Sequence, residues 1–483
     1  MENKIILPAE WYPQSAVQLT WPHEETDWAP ILDEVIPCFV SIAKEVIKHE
    51  KLLIVCPDEQ EVRRQLGDVD DSRIIFREMA TNDTWARDHG GITVFDQGEP
   101  VVYDFVFNGW GMKFAANLDN LVTRNLSVQG TFAGGVQVIN MQPFVLEGGS
   151  IESDGKGTLL TTVECLSSQN RNEYLQKEEL EAYLKDVFGF ERILWLENGY
   201  LAGDDTDSHI DTLARFCSED TIAYVQCKDE SDEHFEELQA MEQELQAFRQ
   251  ADGKPYRLIS LPMADPVEWE GERLPATYAN FLIINGAVLL PYYKSPKDEL
   301  AKKALQQAFP EREIIGINCL PLIKQHGSLH CVTMQYPEGV VSIDIGSMIN
   351  GGYSITPHFG VSAVSADGGL MKHFSYGKKE RVVSKETSDL IRMALGKVVS
   401  EGTGNKASVK GFSVGAKTGT SEKLPRGNGK YIASTIGFAP VENPKVIALV
   451  RIDEPQGLYY GGTVAAPAIA ALFENILPYL CKN

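Results

Sequence analysis

The chain is organised around one short stretch, Gly327-Ser328-Leu329-His330-Cys331-Val332-Thr333. A Gly/Ser turn precedes the cysteine and a β-branched pair follows it, so we predict that Cys331 lies where a loop meets a strand. A thiol held there can face a cleft and attack an electrophile once its pKa is lowered towards neutrality. A cysteine in an apolar run is by itself typical of an inert core residue, and the role of Cys331 therefore depends on the rest of the sequence.

The composition is that of a globular protein with several structural units. The chain has 483 residues, of which 43% are hydrophobic and 23% are charged. Its first ten residues lack the basic and apolar regions of a signal peptide, and no apolar run is long enough to span a bilayer. We therefore expect a cytoplasmic protein without a membrane partner.

The eight cysteines are scattered, without the close pairs of a zinc site or a disulfide framework. We expect reduced thiols, no metal and no cofactor. Cys319 lies twelve residues before Cys331. It stands at the end of an apolar run that Pro321 stops, and we interpret it as a structural residue.

Charge divides the chain into two parts. Residues 339–483 contain 16 basic and 11 acidic residues, a net charge of +5, whereas residues 1–338 contain 28 and 57, a net charge of −29. The strong negative charge of residues 1–338 argues against nucleic-acid binding, which needs a positively charged surface. It suits a small cationic substrate. Solubility alone would account for much of the same acidity.

Short β-branched segments alternate with amphipathic ones in the acidic part, which predicts the α/β class. The predicted helices are residues 31–49, 59–66, 177–188, 230–249 and 296–309. The predicted strands are residues 51–56, 73–77, 157–162, 192–195, 221–227, 281–293 and 314–318. We find no sequence repeat of fixed period.

Three polar clusters interrupt these segments. Residues 81–91 surround a tryptophan and end in two glycines, Glu147-Gly148-Gly149 precedes a strand, and residues 203–211 place His209 two residues from Asp211. If the last segment is extended, the side chains of His209 and Asp211 point to the same side. Each cluster alone is typical of a solvated turn or a helix cap.

Together the clusters and Cys331 fit one chemistry. Paired carboxylates can hold a planar guanidinium, whose central carbon then accepts a thiolate. An imidazole can give a proton to the departing ammonia and later activate water. No metal is required for these steps.

Residues 1–338 resemble the agmatine deiminases, in the family that also contains the Porphyromonas-type peptidylarginine deiminases. The stretches that carry the resemblance are Leu7-Pro8-Ala9-Glu10-Trp11, Leu19-Thr20-Trp21-Pro22, residues 82–91, Asn108-Gly109-Trp110-Gly111, Glu147-Gly148-Gly149, residues 160–165, Asn170-Arg171-Asn172, residues 203–211, residues 280–291 and His330-Cys331. The resemblance implies the pentein fold, a five-bladed α/β propeller of ββαβ units. It also implies hydrolysis of agmatine, a small cationic guanidino substrate, to N-carbamoylputrescine and ammonia, and it makes a homo-oligomer plausible.

The resemblance assigns the catalytic roles. Cys331 would be the nucleophile and His209 the general acid and base. Asp88 and Asp211 would bind the guanidinium nitrogens, and Glu147 would orient His209.

The same resemblance assigns substrate contacts. Trp85 and Trp110 would line the channel, and Asn280 would help to position the substrate. Residues 325–328 depart from the more glycine-rich loop of the family. Three further acids, Asp204, Asp205 and Asp207, stand near His209, where they could raise its pKa or bind the distal amine.

Residues 339–483 resemble the C-terminal part of a penicillin-binding protein transpeptidase domain, a serine β-lactamase-like α/β fold. We predict a helix at 385–399, strands at 431–439 and 446–453, and a last helix at 465–480. The stretch Lys417-Thr418-Gly419-Thr420 would lie on an edge strand beside that family's active site. Matches to Ser-x-x-Lys at residues 153 and 375 are interpreted as chance, so we expect a partial domain that lacks the catalytic serine.

Three alternatives stay open at this point. The cleft could deiminate arginine or peptidyl-arginine instead of agmatine. The basic part could bind β-lactams or cell-wall peptides, or it could serve as an oligomerisation surface.

Overall fold

The computed structural model describes residues 5–341, 361–364, 370–374, 385–423, 430–455 and 459–480. These residues fall into two compact units: the first holds residues 5–341, 361–364 and 370–373, and the second holds residues 374, 385–423, 430–455 and 459–480. No helix among the described residues is long and apolar enough to cross a membrane.

Within residues 5–341 the first unit contains nineteen strands. They are β1 (Ile5–Ile6), β2 (Gln14–Thr20), β3 (Lys51–Cys56), β4 (Ile74–Glu78), β5 (Ile92–Asp96), β6 (Glu99–Val106), β7 (Gln137–Val145), β8 (Glu152–Ser153), β9 (Thr158–Thr162), β10 (Arg192–Leu196), β11 (Ala214–Ser218), β12 (Thr221–Gln226), β13 (Arg257–Pro262), β14 (Glu268–Trp269), β15 (Glu272–Arg273), β16 (Leu282–Ile284), β17 (Ala287–Tyr292), β18 (Glu313–Asn318) and β19 (Thr333–Pro337). Its α-helices are α1 (Leu32–His49), α2 (Glu59–Leu66), α3 (Ala86–His89), α4 (Gly109–Met112), α5 (Val122–Val128), α6 (Val163–Leu166), α7 (Lys177–Phe188), α8 (Phe235–Ala247), α9 (Asp298–Ala308) and α10 (Leu320–Ile323).

Five mixed sheets of the first unit share one arrangement. Their strand orders are β1-β5-β6-β7, β10-β9-β8, β11-β12-β13, β16-β17-β18 and β19-β2-β3-β4. Each contains an antiparallel pair whose second strand leads through a helix to a parallel neighbour. The crossover helices are α5, α7, α8, α9 and α1 in the same order of sheets. No sheet closes on itself among the described residues.

The fifth sheet joins the two ends of this unit. Strand β19 pairs antiparallel with β2, with Thr333 opposite Leu19. The segment that carries Cys331 is therefore fixed to the N-terminal part of the chain. The amphipathic helix α1 covers this sheet, and it buries Val35, Phe39 and Ile42 on one face.

Most predicted segments of the acidic part are observed to within a few residues, but residues 281–293 do not form one strand. They form a hairpin, β16 and β17, whose turn is Asn285-Gly286. Gly286 has a φ of +76°, the left-handed conformation that such a turn requires. The Asn-Gly pair is a strong hairpin signal, so the missed turn was readable from the sequence. The acidic helix is also shorter than the predicted 230–249, since α8 spans Phe235–Ala247.

The second unit is built on an antiparallel sheet of β22 (Gly415–Glu422), β23 (Tyr431–Ala439) and β24 (Val446–Asp453). Its helices are α11 (Lys385–Ser400), α12 (Gly461–Val464) and α13 (Ala466–Leu480). Two shorter strands, β20 (Val361–Val364) and β21 (Leu370–Phe374), pair with each other, and all of their residues except Phe374 belong to the first unit. The core of this unit includes Ile469, Phe473 and Leu477 of α13, while Ile447 and Leu449 of β24 are more than 60% exposed. Lys417 lies on β22, an edge strand of the three-stranded sheet, as predicted.

Candidate active site

The three polar clusters, together with Asn280 and Cys331, occupy equivalent places in the five sheets. Each one lies directly before the first strand of an antiparallel pair. The segments are α3 before β5, Glu147–Gly149 before β8, His209–Asp211 before β11, Asn280 before β16 and Cys331 before β19. The repeated topology therefore gathers residues that are far apart in the chain.

Cys331 lies two residues before β19, where we predicted the transition from loop to strand. The backbone around it is fixed on both sides. Asn280 Oδ1 accepts the backbone N–H of His330 at 2.9 Å, and the Cys331 carbonyl accepts the N–H of Arg87 at 3.1 Å. Asn280 Nδ2 also lies 3.3 Å from the Cys331 sulfur, so Asn280 contacts the thiol itself.

The thiol faces a cavity with an acidic wall. The lining residues are Asp27, Asp83, Trp85, Asp88, Trp110, Phe114, Asp205, Thr206, Gln325, His326, Gly327 and Cys331. Four of these twelve are carboxylates, and none is lysine or arginine. Gly327 is required at its place, because a Cβ there would come within 2.1 Å of the Trp85 ring.

Asp88 is buried and held by two donors. The indole Nε1 of Trp110 donates to Oδ2 at 2.9 Å, and the backbone N–H of Gly149 donates to Oδ1 at 3.0 Å. Burial raises the pKa of Asp88 to about 6, with a further contribution from the charge of Asp211, while His209 opposes the shift. The carboxyl is therefore mostly ionised at neutral pH and is easily protonated below it.

We predicted that the side chains of His209 and Asp211 point to the same side if their segment is extended. The segment is not extended. His209 is followed by a 3₁₀-helix, Ile210–Thr212. The two side chains nevertheless converge on Gly149. A Cβ at Gly149 would lie 2.6 Å from His209 Nδ1, 2.8 Å from Asp88 Oδ1 and 3.2 Å from Asp211 Oδ2. Only glycine leaves room for these three groups to meet.

His209 is fully buried, and neither of its ring nitrogens has a hydrogen-bond partner among the described residues. Burial acts to lower the pKa of His209, but the charges of Asp88, Cys165 and Glu147 raise it well above the usual value. Its Nδ1 lies 3.7 Å from Asp88 Oδ1. This shift favours the protonated imidazole, which is the form that can give a proton.

The closest partner of Glu147 is Arg171, whereas we expected His209. Arg171 Nε donates to both of its carboxylate oxygens, at 2.9 and 3.1 Å. A carboxylate oxygen of Glu147, the sulfur of Cys165 and a ring nitrogen of His209 lie within 4.8 Å of one another. Glu147 therefore faces His209 without a direct hydrogen bond, and its charge is shared with Arg171.

The thiol of Cys331 is strongly disfavoured as a thiolate in the free protein. Burial raises the pKa of Cys331 well above the usual value, and the carboxylates of Asp211 and Asp88 add to the shift. The sulfur lies 3.8 Å from Asp211 Oδ2. A cation placed between the two carboxylates would remove this repulsion and lower the pKa of the thiol.

Two of the three further acids near His209, Asp204 and Asp207, already have partners within the protein. Asp204 accepts hydrogen bonds from Thr206 and Ser208 within its own loop, and Asp207 pairs with Lys113 at 2.7 Å and with Arg171 at 2.5 Å. Asp205 lines the cavity instead. Burial and the charge of Asp204 raise the pKa of Asp205 to about 6.

Sequence reasoning did not assign a role to the polar groups behind the site. Arg215 and His330 are buried and both bond to the buried Glu10, although they are 205 and 320 residues away from it in the chain. Glu10 and His330 both stand in stretches that carry the family resemblance. The resemblance was the available sign that both residues matter. No local sequence pattern around Glu10 or His330 reveals that their side chains are in contact.

The comparisons with known proteins agree with these two units. Residues 6–337 match the sequence model of the Porphyromonas-type peptidyl-arginine deiminase family, and residues 345–476 match that of the penicillin binding protein transpeptidase domain. The agmatine deiminase of Ectopseudomonas mendocina is 32% identical over 68% of this chain and 95% of its own. A substrate-bound agmatine deiminase from C. jejuni is 40% identical with a TM-score of 0.65, over 69% of this chain and 97% of its own. A Porphyromonas gingivalis protein provisionally named an arginine deiminase is 57% identical with a TM-score of 0.68, over 70% of this chain and 100% of its own.

The raised pKa of Cys331 predicts slow alkylation at neutral pH. We expect the thiol to react slowly with iodoacetamide at pH 7 and progressively faster as the pH is raised and the thiol ionises. Asp211→Asn removes one of the two facing charges and should speed the reaction several-fold at pH 8. Mass spectrometry of the peptide that contains Cys331 measures the rate, with Asp186→Asn, an exposed acid on α7, as the control. Fast alkylation at pH 7 that Asp211→Asn leaves unchanged would contradict the assignment.

Proposed function

The chain belongs to the Porphyromonas-type peptidyl-arginine deiminase family through residues 6–337, and from this premise we propose that it hydrolyses agmatine to N-carbamoylputrescine and ammonia. One observation carries the choice of a guanidine substrate. The carboxylates of Asp88 and Asp211 both lie next to the Cys331 thiol, and both raise its pKa. Such a site favours a cation at the position where the thiol attacks.

We assign Asp88 and Asp211 to the guanidinium group. A guanidinium offers five N–H donors in one plane, and two carboxylates on different sides hold it by charge-assisted hydrogen bonds. Its positive charge lowers the pKa of Cys331, so the thiol gives its proton to water and binding itself generates the nucleophile. Trp85 and Trp110, whose rings lie 6.2 Å apart edge to face, line the path of the alkyl chain.

In the first half of the reaction the thiolate of Cys331 attacks the guanidinium carbon and forms a C–S bond. The resulting tetrahedral adduct loses one nitrogen as ammonia, after His209 has donated a proton to it. The C–N bond breaks and an S-alkylthiouronium remains on the sulfur. The two free ring nitrogens of His209 leave it able to serve as this acid.

In the second half the neutral His209 takes a proton from a water molecule, whose oxygen attacks the same carbon. The second tetrahedral adduct breaks its C–S bond, and Cys331 leaves as a thiolate. The proton left on the new oxygen passes to the Cys331 thiolate and restores the thiol, and the product carries this oxygen as the carbonyl of its carbamoyl group. Asn280, 3.3 Å from the sulfur, donates to the thiolate in both halves.

We assign the distal amine of agmatine to the acidic mouth of the cavity, with Asp205 as its main partner. Asp27 and Asp83 line the same cavity and add negative charge. The α-carboxylate of arginine would meet these acids and no lysine or arginine side chain. This charge pattern favours a dication over a zwitterion.

Deimination of arginine is the second candidate. It rests on the 57% identity to the Porphyromonas gingivalis protein that has been provisionally named an arginine deiminase. The acidic cavity argues against it, since arginine would have to place its carboxylate among like charges. The α-carboxylate of peptidyl-arginine is part of a peptide bond and carries no charge, so the acidic cavity does not argue against this substrate. The cavity would have to admit a peptide.

We further propose that residues 1–338 form a pentein domain, with the five mixed sheets as the blades of a propeller. The shared strand arrangement and the equivalent positions of the five site segments support this assignment. A cytoplasmic location is in line with the seven described cysteines, all of which are free thiols. A homo-oligomer remains an expectation from the family, which size-exclusion chromatography with light scattering would test.

Residues 339–483 are proposed as a partial transpeptidase domain without acyl-transfer activity. The Ser-x-x-Lys match at Ser375 lies outside the described residues, and the match at Ser153 lies on β8 of the first unit. Lys417 and Thr418 stand on an edge strand, where they could at most contact a ligand carboxylate.

Ammonia release tests the proposed reaction. We expect the intact chain to release ammonia from agmatine far faster than from arginine or from a blocked arginine peptide. Cys331→Ala should abolish the reaction because it removes the nucleophile. Cys319→Ala, a buried cysteine outside the cavity lining, is the matched control and should retain activity. Turnover that survives Cys331→Ala, or equal turnover of arginine, would refute the proposal.

Asp205 supplies a test of substrate selection. We expect Asp205→Asn to raise KM for agmatine about tenfold and to leave kcat nearly unchanged, because one charged contact is worth on the order of 1–2 kcal/mol. Butylguanidine, which lacks the amine, is the matched control substrate, and its KM should not change. A parallel rise in both KM values would exclude Asp205 as the partner of the amine.

Fluorescent penicillin tests the second unit. Labelling requires a serine that can be acylated, so we expect no labelled band from the intact chain under conditions that label a complete transpeptidase. A labelled band that Ser375→Ala removes would show that the serine is functional after all.

A further inference from the structure

The ring of His330 lies between two carboxylates. Its Nδ1 is 2.7 Å from Asp211 Oδ2, and its Nε2 is 2.7 Å from Glu10 Oε2. Contacts this short between a ring nitrogen and a carboxylate oxygen need a proton on each side. The side chain is 2% exposed, so water does not compete for either contact.

Glu10 is held in place from several directions. Arg215 Nη2 donates to its Oε2 at 2.5 Å, and the backbone N–H of Ile283 donates to its Oε1 at 2.6 Å. Arg215 is itself bonded through Nε to Glu152 at 2.8 Å. Glu10 is therefore a fixed acceptor, and a ring bonded to it has little freedom to turn.

The backbone of His330 is fixed as well. Its N–H donates to Asn280 Oδ1 at 2.9 Å and lies 3.2 Å from the Asn280 carbonyl. The next residue is Cys331, so one clamped segment presents both the imidazole and the thiol. The position of the ring relative to the sulfur is thus set by the chain itself.

The two oxygens of Asp211 have different surroundings. Oδ2 accepts from His330, whereas Oδ1 is buried without a hydrogen-bond partner among the described residues. A buried carboxylate oxygen without a hydrogen-bond donor raises the free energy of the folded protein, and a donor from a bound ligand would lower it. Without the imidazole of His330, the Asp211 carboxylate could rotate, and both of its oxygens could reach other donors.

We propose that His330 is a positioning residue for the deiminase reaction, which holds Asp211 so that its free oxygen meets the guanidinium, with Glu10 as the anchor of the imidazole. This proposal rests on the proposed function, because it gives Asp211 the guanidinium as its ligand. It predicts that the bond from Nδ1 matters more for substrate binding than the bond from Nε2.

Two substitutions separate the two bonds. The amide nitrogen of asparagine takes the place of Nδ1, and that of glutamine takes the place of Nε2. His330→Asn can still donate to Asp211, while His330→Gln can donate only to Glu10. We expect KM for agmatine to rise about tenfold more in the glutamine variant than in the asparagine variant, as for loss of a charge-assisted bond, with a smaller effect on kcat.

Stability measurements distinguish positioning from a merely structural role. Thermal unfolding of both variants should give similar midpoints, because each keeps one of the two buried bonds. Equal KM values for the two variants, or a lower KM for the glutamine variant, would overturn the proposal. Should either variant fail to fold, Glu10→Gln is the second test: it weakens the anchor, and KM should rise while Asp211 is untouched. An unchanged KM would again overturn the proposal.

The wild-type protein separates this proposal from the proposed function. If it does not turn over agmatine, the proposed function fails whatever the variants do. If it does, and the asparagine and glutamine variants behave alike, only the role of His330 fails.

Discussion

Asp88 and Asp211 are carboxylates held almost entirely out of contact with water, at 3% and 0% exposure, beside a buried thiol. Removing a carboxylate from water costs several kcal/mol unless fixed donors replace the solvent. Trp110, Gly149 and His330 supply such donors, but they leave negative charge facing Cys331. In the proposed reaction a bound guanidinium balances this charge and also lowers the pKa of Cys331. Substrate selection and activation of the thiol would then depend on one interaction.

The fold meets this constraint by repetition. Five sheets of the first unit each begin their antiparallel pair directly after one of the site segments. Polar loops from distant parts of the sequence consequently meet at Gly149, where a Cβ would collide with His209 and Asp88. The sheets provide rigid supports, and the loops carry the chemistry. The pairing of β19 with β2 brings Cys331, the proposed nucleophile, into this arrangement.

Local patterns in the sequence predicted the five helices of eight or more residues among residues 5–341, because burial at a period of 3.6 residues leaves a local trace. They predicted fewer than half of the strands there, and strands such as β2, β6 and β13 were missed. They also marked the segments that hold Asp88, Glu147 and His209 as polar clusters, whereas Trp110 and Asn280 were assigned only through the family resemblance. What they did not reveal depends on contacts across the chain. Glu10 and His330 are 320 residues apart, and their hydrogen bond follows from the packing of the N-terminal segment against the loop before β19. The Arg171 partner of Glu147 and the 3₁₀-helix after His209 are likewise settled by tertiary contacts.

Trapping the covalent intermediate tests the central claim most directly. Agmatine turnover would be quenched in acid within the first turnover, and the digested protein examined by mass spectrometry. The account predicts an adduct with the mass of agmatine less ammonia on the peptide that contains Cys331, and no adduct on the other cysteines. Turnover without any adduct at Cys331, or with an adduct on another residue, would contradict it.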